Sequence, residues 1–450
     1  MLNYWDVSLD DTVRTANRVV RRVADAPDAL DTADVTDWLA MYNEASPTSS
    51  NQGAGQLPFQ RWFRFKEAFS PKFVTDTIGS LPHPVDRCID PFAGSGTTSL
   101  TCDFLGIDSI SLEVNPFLAD LVSAKITPLS PSSILHQYEQ VIADIDIITA
   151  DQVLPTGMPR TMREPGLEGR WIFESDVYDT IRALVRRLED VPPAERRLLR
   201  VLLGSVLVAN SNVLINGKGR RYRRNWRDRK RSVKDLLDDL DTAVDVAVAD
   251  ISRYPAKTRA GHEIKCGDAR QLLQKVDWAD LAIFSPPYPN SFDYTDVYNL
   301  ELWMLGYLGS SHENRQLRLS TLRSHVQATW ESAAAVGSTA LSDTLVALEA
   351  RRADLWNRGI PGMVACYFED MRSIMTELAR ILAVGRHTVI AIGDSQYAGV
   401  HIDVAEIICE MSEKIGFNVV GREAIRSMRN SSQHGGAFEL REHCLVLERG

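Results

Sequence analysis

Cysteine is scarce in this chain: six in 450 residues, at Cys88, Cys102, Cys266, Cys366, Cys409 and Cys444, with no CxxC pair. That spacing excludes a zinc ribbon or a dithiol redox motif. Scattered thiols fit packing residues in a reducing, cytoplasmic setting. The nine histidines form no HExxH or other paired metal spacing, so no metal site is expected. No uninterrupted apolar run reaches the roughly 18 residues that a membrane span needs. The opening stretch "MLNYWDVSLDD" lacks the basic-then-apolar layout of a secretory signal. Internal repeats are absent. Positive charge is not in excess either. The net charge is −10, so a polyanionic partner has to be met by a local basic patch.

What is present is enough apolar residue, 44%, to bury a sizeable core. Residues 1–57 read as a helical N-terminal extension, with amphipathic patterns near 9–26 and 34–43, followed by the polar linker "EASPTSSNQGAGQ" (44–56). From about residue 58, short apolar strands alternate with helices, the pattern of an α/β sheet. The strand candidates are 87–90, 109–114, 263–266, 281–285, 387–393, 418–425 and 443–449. They fit a doubly wound, mostly parallel sheet, interrupted by helical insertions at 126–260 and 307–359. The core segments are then 58–125, 261–306 and 360–450.

Two short stretches carry chemistry. In "CIDPFAGSGTTSL" (88–100) a strand runs through a glycine turn into a helix. Gly94 and Gly96 let the backbone turn tightly and approach a ligand, and the helix offers free N–H groups. Seventeen residues after Gly96, at the end of the next strand, Glu113 is placed to accept both hydroxyls of a ribose. A phosphate-binding loop would need a lysine where Gly96 stands, and a dinucleotide fingerprint would need glycine at Ser99. The plain alternative is a tight turn packed on a sheet. The second stretch, "SPPY" (285–288), follows an apolar strand. Proline cannot donate to a sheet ladder, so the strand ends there in a rigid turn bearing a small hydroxyl and an exposed ring.

"DPFAGSG" followed by "SPPY" resembles the two signature motifs of the S-adenosylmethionine-dependent DNA amino-methyltransferases, which modify cytosine N4 or adenine N6. "EAFSPKFVTDTI" (67–78), "LEVNPFLADLVSAK" (112–125) and "CGDARQLL" (266–273) extend the resemblance. It implies a Rossmann-like class I methyltransferase fold with a seven-stranded sheet and S-adenosylmethionine as cofactor. The implied cofactor residues are Phe69, Asp90, Phe92, Ala93, Gly94, Ser95, Gly96, Glu113 and Asp268. Asp90 would meet the methionine amino group, Glu113 the ribose and Asp268 the adenine. Ser285, Pro286, Pro287 and Tyr288 would form the catalytic loop. An exocyclic amine is a poor nucleophile because its lone pair is delocalised into the ring. Acceptors at Ser285 and the Pro286 carbonyl favour a pyramidal nitrogen, and Tyr288 offers a face for a base that has left the duplex. Serine at the first position matches the cytosine-N4 group. Adenine-N6 transfer, RNA amino-methylation and a non-catalytic DNA-binding subunit stay open. Cytosine-C5 chemistry needs a Pro-Cys nucleophile, and no such dipeptide occurs.

The expected partner is double-stranded DNA with a flipped base, alongside a cognate restriction endonuclease or defence component, and no membrane. Between Lys218 and Lys234 the run "KGRRYRRNWRDRKRSVK" carries ten basic residues against one acid. Lys218, Arg220, Arg221, Tyr222, Arg223, Arg224, Trp226 and Arg227 are the candidate phosphate and base contacts, set against the plain alternative of a solvated charged face. After SPPY, Asn290 and Tyr294 could line a base pocket, whereas Tyr298 and Trp303 at helical spacing read as core. Asp250 with Glu263-x-Lys265 resembles half of a nuclease motif and lacks the Pro-Asp pair that would complete it.

Overall fold

The computed structural model describes residues 35–42, 48–51, 53–143, 145, 157–216, 219–254, 261–290, 292–330, 336–428 and 439–450. The expected helix at 9–26 and Lys218 lie outside them. Eleven strands are formed among the described residues: β1 Arg87–Asp90, β2 Asp108–Glu113, β3 Val213–Asn216, β4 Gly219–Tyr222, β5 His262–Cys266, β6 Ala279–Phe284, β7 Leu382–Gly393, β8 Ser395–Tyr397, β9 Val400–Ile402, β10 Phe417–Met428 and β11 Leu440–Arg449. Seven of them make one sheet in the order β10-β11-β7-β6-β1-β2-β5. Only β11 runs against its neighbours. This is a doubly wound, mostly parallel sheet of the kind expected, and its seven strands coincide with the seven apolar runs read from the sequence. Strand order reverses between β1 and β6, so a crevice opens at their carboxyl ends, where doubly wound sheets bind ligands.

The central strands are buried on both faces; every residue of β6 is buried. That is why β6 reads as a nearly continuous apolar run without alternation. Helices Thr97–Leu105, Pro116–Ile126, Ile360–Ile381 and Val404–Glu413 cover the sheet. Between β2 and β5 the chain leaves the sheet through helices Pro131–Ile142, Ser175–Leu188, Pro193–Leu207 and Val233–Arg253 and the small β3–β4 hairpin. These pack their leucine and valine faces onto helix Pro116–Ile126 and onto Leu300, Trp303 and Met304 in one apolar cluster.

One stretch departs from expectation. The described part of the 44–56 linker is not a solvated tether. Ser49, Ser50, Asn51 and Ala54 are buried, and the Asn51 amide donates to the Phe65 carbonyl at 3.1 Å. Serine and asparagine can satisfy backbone groups from within a turn, so a polar composition does not require exposure. The nuclease-like residues are separated: Asp250 accepts from the Phe59 N–H and the Trp62 indole N–H, each at 2.9 Å, and pairs with Arg61, while Glu263 pairs with Arg87 and Lys265. Among the described residues no helix is long and apolar enough to cross a membrane.

Candidate active site

The glycine loop leaves β1 at Asp90 and enters helix Thr97–Leu105. Both glycines hold positive φ, +52° at Gly94 and +78° at Gly96, a region that side chains with a Cβ avoid. They do different work. Gly94 lines the crevice, and its N–H donates to Glu113 Oε2 at 2.8 Å. Gly96 does not line the crevice; a Cβ there would stand 2.9 Å from Val122, so it permits close packing of the loop on helix Pro116–Ile126.

The crevice encloses about 1040 Å³, counting its open mouth. It brings together Phe69, Asp90, Phe92, Ala93, Gly94, Ser95, Glu113, Asp268, Ser285 and Pro287. The Asp90 carboxylate accepts from the Phe92 N–H at 2.9 Å and the Thr98 hydroxyl at 2.7 Å. Glu113 Oε1 accepts from the Asn115 N–H at 2.8 Å. Burial pushes both acids up to about 7. Hydrogen bonds hold each of them down only in part. Asp268 caps its own turn through the Arg270 N–H and is gripped by the Arg270 guanidinium, which also reaches Asp370 at 2.9 Å. Beneath the loop, buried Lys125 donates to the Ser95 carbonyl at 2.6 Å, and burial lowers its amine to about 7.

A second chamber of about 710 Å³ adjoins the first, and Ser285, Glu67, Ala68 and Phe292 belong to both walls. Pro286, Tyr288 and Asn290 line only this chamber. The SPPY turn is therefore the partition, with Ser285 facing both sides and its two prolines on opposite ones. The Tyr288 hydroxyl donates to Glu442 Oε1 at 2.6 Å. Its ring lies against Gly393, where an added Cβ would come within 2.5 Å. The Tyr397 hydroxyl ties down the Pro289 carbonyl at 3.0 Å. Tyr294 begins the short helix Tyr294–Val297. Tyr298 and Trp303 are buried core, with Tyr298 stacked on Phe65 at 5.5 Å.

The basic run divides. Arg221, Arg224, Arg227 and Lys230 are exposed. Arg223 turns inward, donating to the Val208 carbonyl at 3.0 Å, and burial lowers its guanidinium, as it does that of Arg220, which faces Asp296 and Glu301. Trp226 is a correction: it is only 7% exposed, with its ring 5.0 Å from both Trp171 and Tyr222, and so cannot stack on a base. An indole among arginines is as apolar as any other, and here it anchors the strand pair while Arg227 lies over it at 4.6 Å.

Sequence reasoning missed one wall. Residues Thr321, Leu322, Ser324 and His325, inside the 307–359 insertion, also line the first crevice. Arg323 holds them there by donating to Asp370, the carboxylate that Arg270 also uses. Helix Ser311–Ser320 is tied to the post-SPPY segment by Arg318, which donates to Asp293 at 2.6 Å and Asp296 at 2.9 Å. The alternating acids and arginines were visible, but nothing local said which would meet.

No protein-family model matches the chain. Against individual proteins, it is 26% identical over 452 residues to the type II methyltransferase M.BsoBI of Geobacillus stearothermophilus, spanning 89% of this chain and 87% of that one. It is likewise 26% identical over 402 residues to the type II methyltransferase M.AvaI of Nostoc sp. strain PCC 7120, spanning 82% and 81%. Its curated relatives are type II methyltransferases. The crystal structure of TrmN from Thermus thermophilus aligns at a TM-score of 0.27 and 9% identity, over 84% of this chain and 48% of that one.

The crevice fits the cofactor that the sequence motifs imply, S-adenosylmethionine, on internal grounds. Two buried polar atoms of residues lining it, Ser95 Oγ and Asn115 Nδ2, lack any partner within the protein. Two acids surrounded by fixed N–H donors face a space in which a cation and a pair of hydroxyls would satisfy them.

Proposed function

We propose that the chain is a DNA methyltransferase that moves a methyl group from S-adenosylmethionine to the exocyclic amine of a flipped base, and that the amine is cytosine N4. The observation that carries this reading is the shared wall. One chamber has the glycine loop and Glu113, the other has Tyr288 and Asn290, and Ser285 belongs to both. The similarity to type II methyltransferases over most of the chain supports DNA as the substrate.

In this reading Glu113 accepts the ribose hydroxyls, Asp90 meets the methionine amine, Asp268 with Arg270 frames the adenine end, and Phe69 closes over the other end. When bound, the cofactor supplies a methyl group made electrophilic by its sulfonium. Ser285 Oγ and the Pro286 carbonyl accept the two N–H bonds of the target amine. This draws the nitrogen lone pair out of conjugation with the ring; as the N–C bond forms, the methyl–sulfur bond would break to leave a neutral thioether, and one N–H proton would be released to solvent. The Pro286–Pro287 backbone is already rigid, so no ordering is required at the moment of reaction. Outside the chambers, Arg221, Arg224, Arg227 and Lys230 contact phosphates, while Trp226, Arg220 and Arg223 support them from within.

The test is transfer of radiolabelled methyl groups by purified protein to unmethylated duplex DNA and to structured RNA. Label in DNA, lost in Ser285→Ala while cofactor affinity is kept, is the expected result. Label in RNA alone would replace the substrate. Cofactor binding with no transfer to either would favour a non-catalytic subunit.

A further inference from the structure

The chamber beyond Ser285 is built asymmetrically. Glu442, 2% exposed, is spent on the protein itself: it accepts from the Tyr288 hydroxyl at 2.6 Å and from Arg426 Nη2 at 2.9 Å, and Ser49 also donates to it. Arg426 is different. It lines the chamber, Glu442 holds one of its terminal nitrogens, and its Nε is buried with no partner. The strand supports this placement. Arg426 pairs directly with Glu442 across β10 and β11, just after the register shifts between Ala424 and Arg426. An irregularity of that kind re-aims a side chain.

A guanidinium has donors only, and a buried donor left unmatched is costly. With the amine held at Ser285 and Pro286, the remaining edge of the base faces the rest of the chamber. Cytosine presents two acceptors along that edge, the ring nitrogen beside the amine and then a carbonyl. Adenine presents one ring nitrogen and then a C–H. A braced guanidinium matches the first and leaves a donor facing carbon in the second.

We propose that Arg426, held in place by Glu442, binds the carbonyl edge of the flipped cytosine and selects it over adenine. The inference rests on the methyltransferase reading above and adds to it the residue that chooses the base. It is tested with duplexes carrying the mapped target site, in which the target cytosine is kept or replaced by a 2-aminopyridine C-nucleoside. That analogue keeps the amine and its neighbouring ring nitrogen and lacks the carbonyl. Single-turnover methyl transfer by the wild-type chain should be ~100-fold slower on the analogue. In Arg426→Gln the cytosine rate should fall toward that of the analogue, bringing the two within about threefold, with cofactor affinity unchanged. A wild-type chain that methylates both duplexes equally fast overturns the assignment, as does an Arg426→Gln chain that keeps full discrimination. A wild-type chain that methylates no cytosine in any DNA removes the underlying reading instead. The wild-type comparison stands whether or not the variant folds.

Discussion

Gly393→Ala is the sharpest perturbation the structure offers, because it adds one methyl group at a distance from the cofactor. The new Cβ would stand 2.5 Å from Tyr288 Cε2 and 2.6 Å from the Met428 sulfur. Ordinary carbon contacts need about 3.5 Å, so the Tyr288 ring has to retreat by about 1 Å. It cannot do so and keep its hydroxyl 2.6 Å from Glu442. Overpacking of this kind costs about 1–3 kcal/mol of stability, and a reactive group misplaced by about 1 Å can cost ~100-fold in rate. Single-turnover transfer to DNA should therefore fall about 100-fold. Titration calorimetry should show S-adenosylmethionine affinity unchanged, since Gly393 does not line that crevice. Gly79→Ala is the control: nothing lies within 4 Å of its Cβ, it sits in helix Pro71–Ser80, and it should be neutral or slightly stabilising. Wild-type turnover in Gly393→Ala would refute the claim that the Tyr288 ring must sit where Gly393 lets it.

Further outcomes follow from the acids and the basic face. Asp90 and Glu113 are raised to about 7 in the folded chain. A cation and a diol both favour the ionised forms, so cofactor affinity should fall about tenfold per carboxylate between pH 8 and pH 6; a flat profile would remove both acids from the site. For the protein alone the sign is opposite. Raised carboxylates contribute stability that is present below about pH 4 and lost as pH rises through about 7, which thermal melts without cofactor should show. Glu113→Gln should abolish the Glu113 part of the affinity profile and leave DNA binding intact, as filter binding can check. Replacing Arg221, Arg224, Arg227 and Lys230 together with alanine should weaken DNA binding and reduce its salt slope by about 3–4. An unchanged slope would move the DNA to another face.

The sheet was legible because its central strands are largely buried and its strands are bounded by glycine, proline and polar residues. Arg87–Asp90 was read to the residue, and the others to within a few. The crevice proposed for the cofactor was legible because a glycine turn and an acid seventeen residues later are local features of two adjacent strands. What escaped was set by distant partners. Trp226 was read with its arginine neighbours, and its burial depends on Trp171, far back in the chain. The polar 49–51 stretch is buried, with Phe65 and Glu442 accepting its hydrogen bonds. Arg426, Glu442 and Gly393 carried no motif at all. They converge on Tyr288 only through the antiparallel pairing of β7, β10 and β11.

The most direct test of the central claim is nucleoside mass spectrometry of genomic DNA from cells expressing the chain or its Ser285→Ala variant. The account predicts N4-methylcytosine with the first and none with the second. N6-methyladenine in its place would contradict the assigned base, and N4-methylcytosine at equal levels in both would contradict the role given to the SPPY turn.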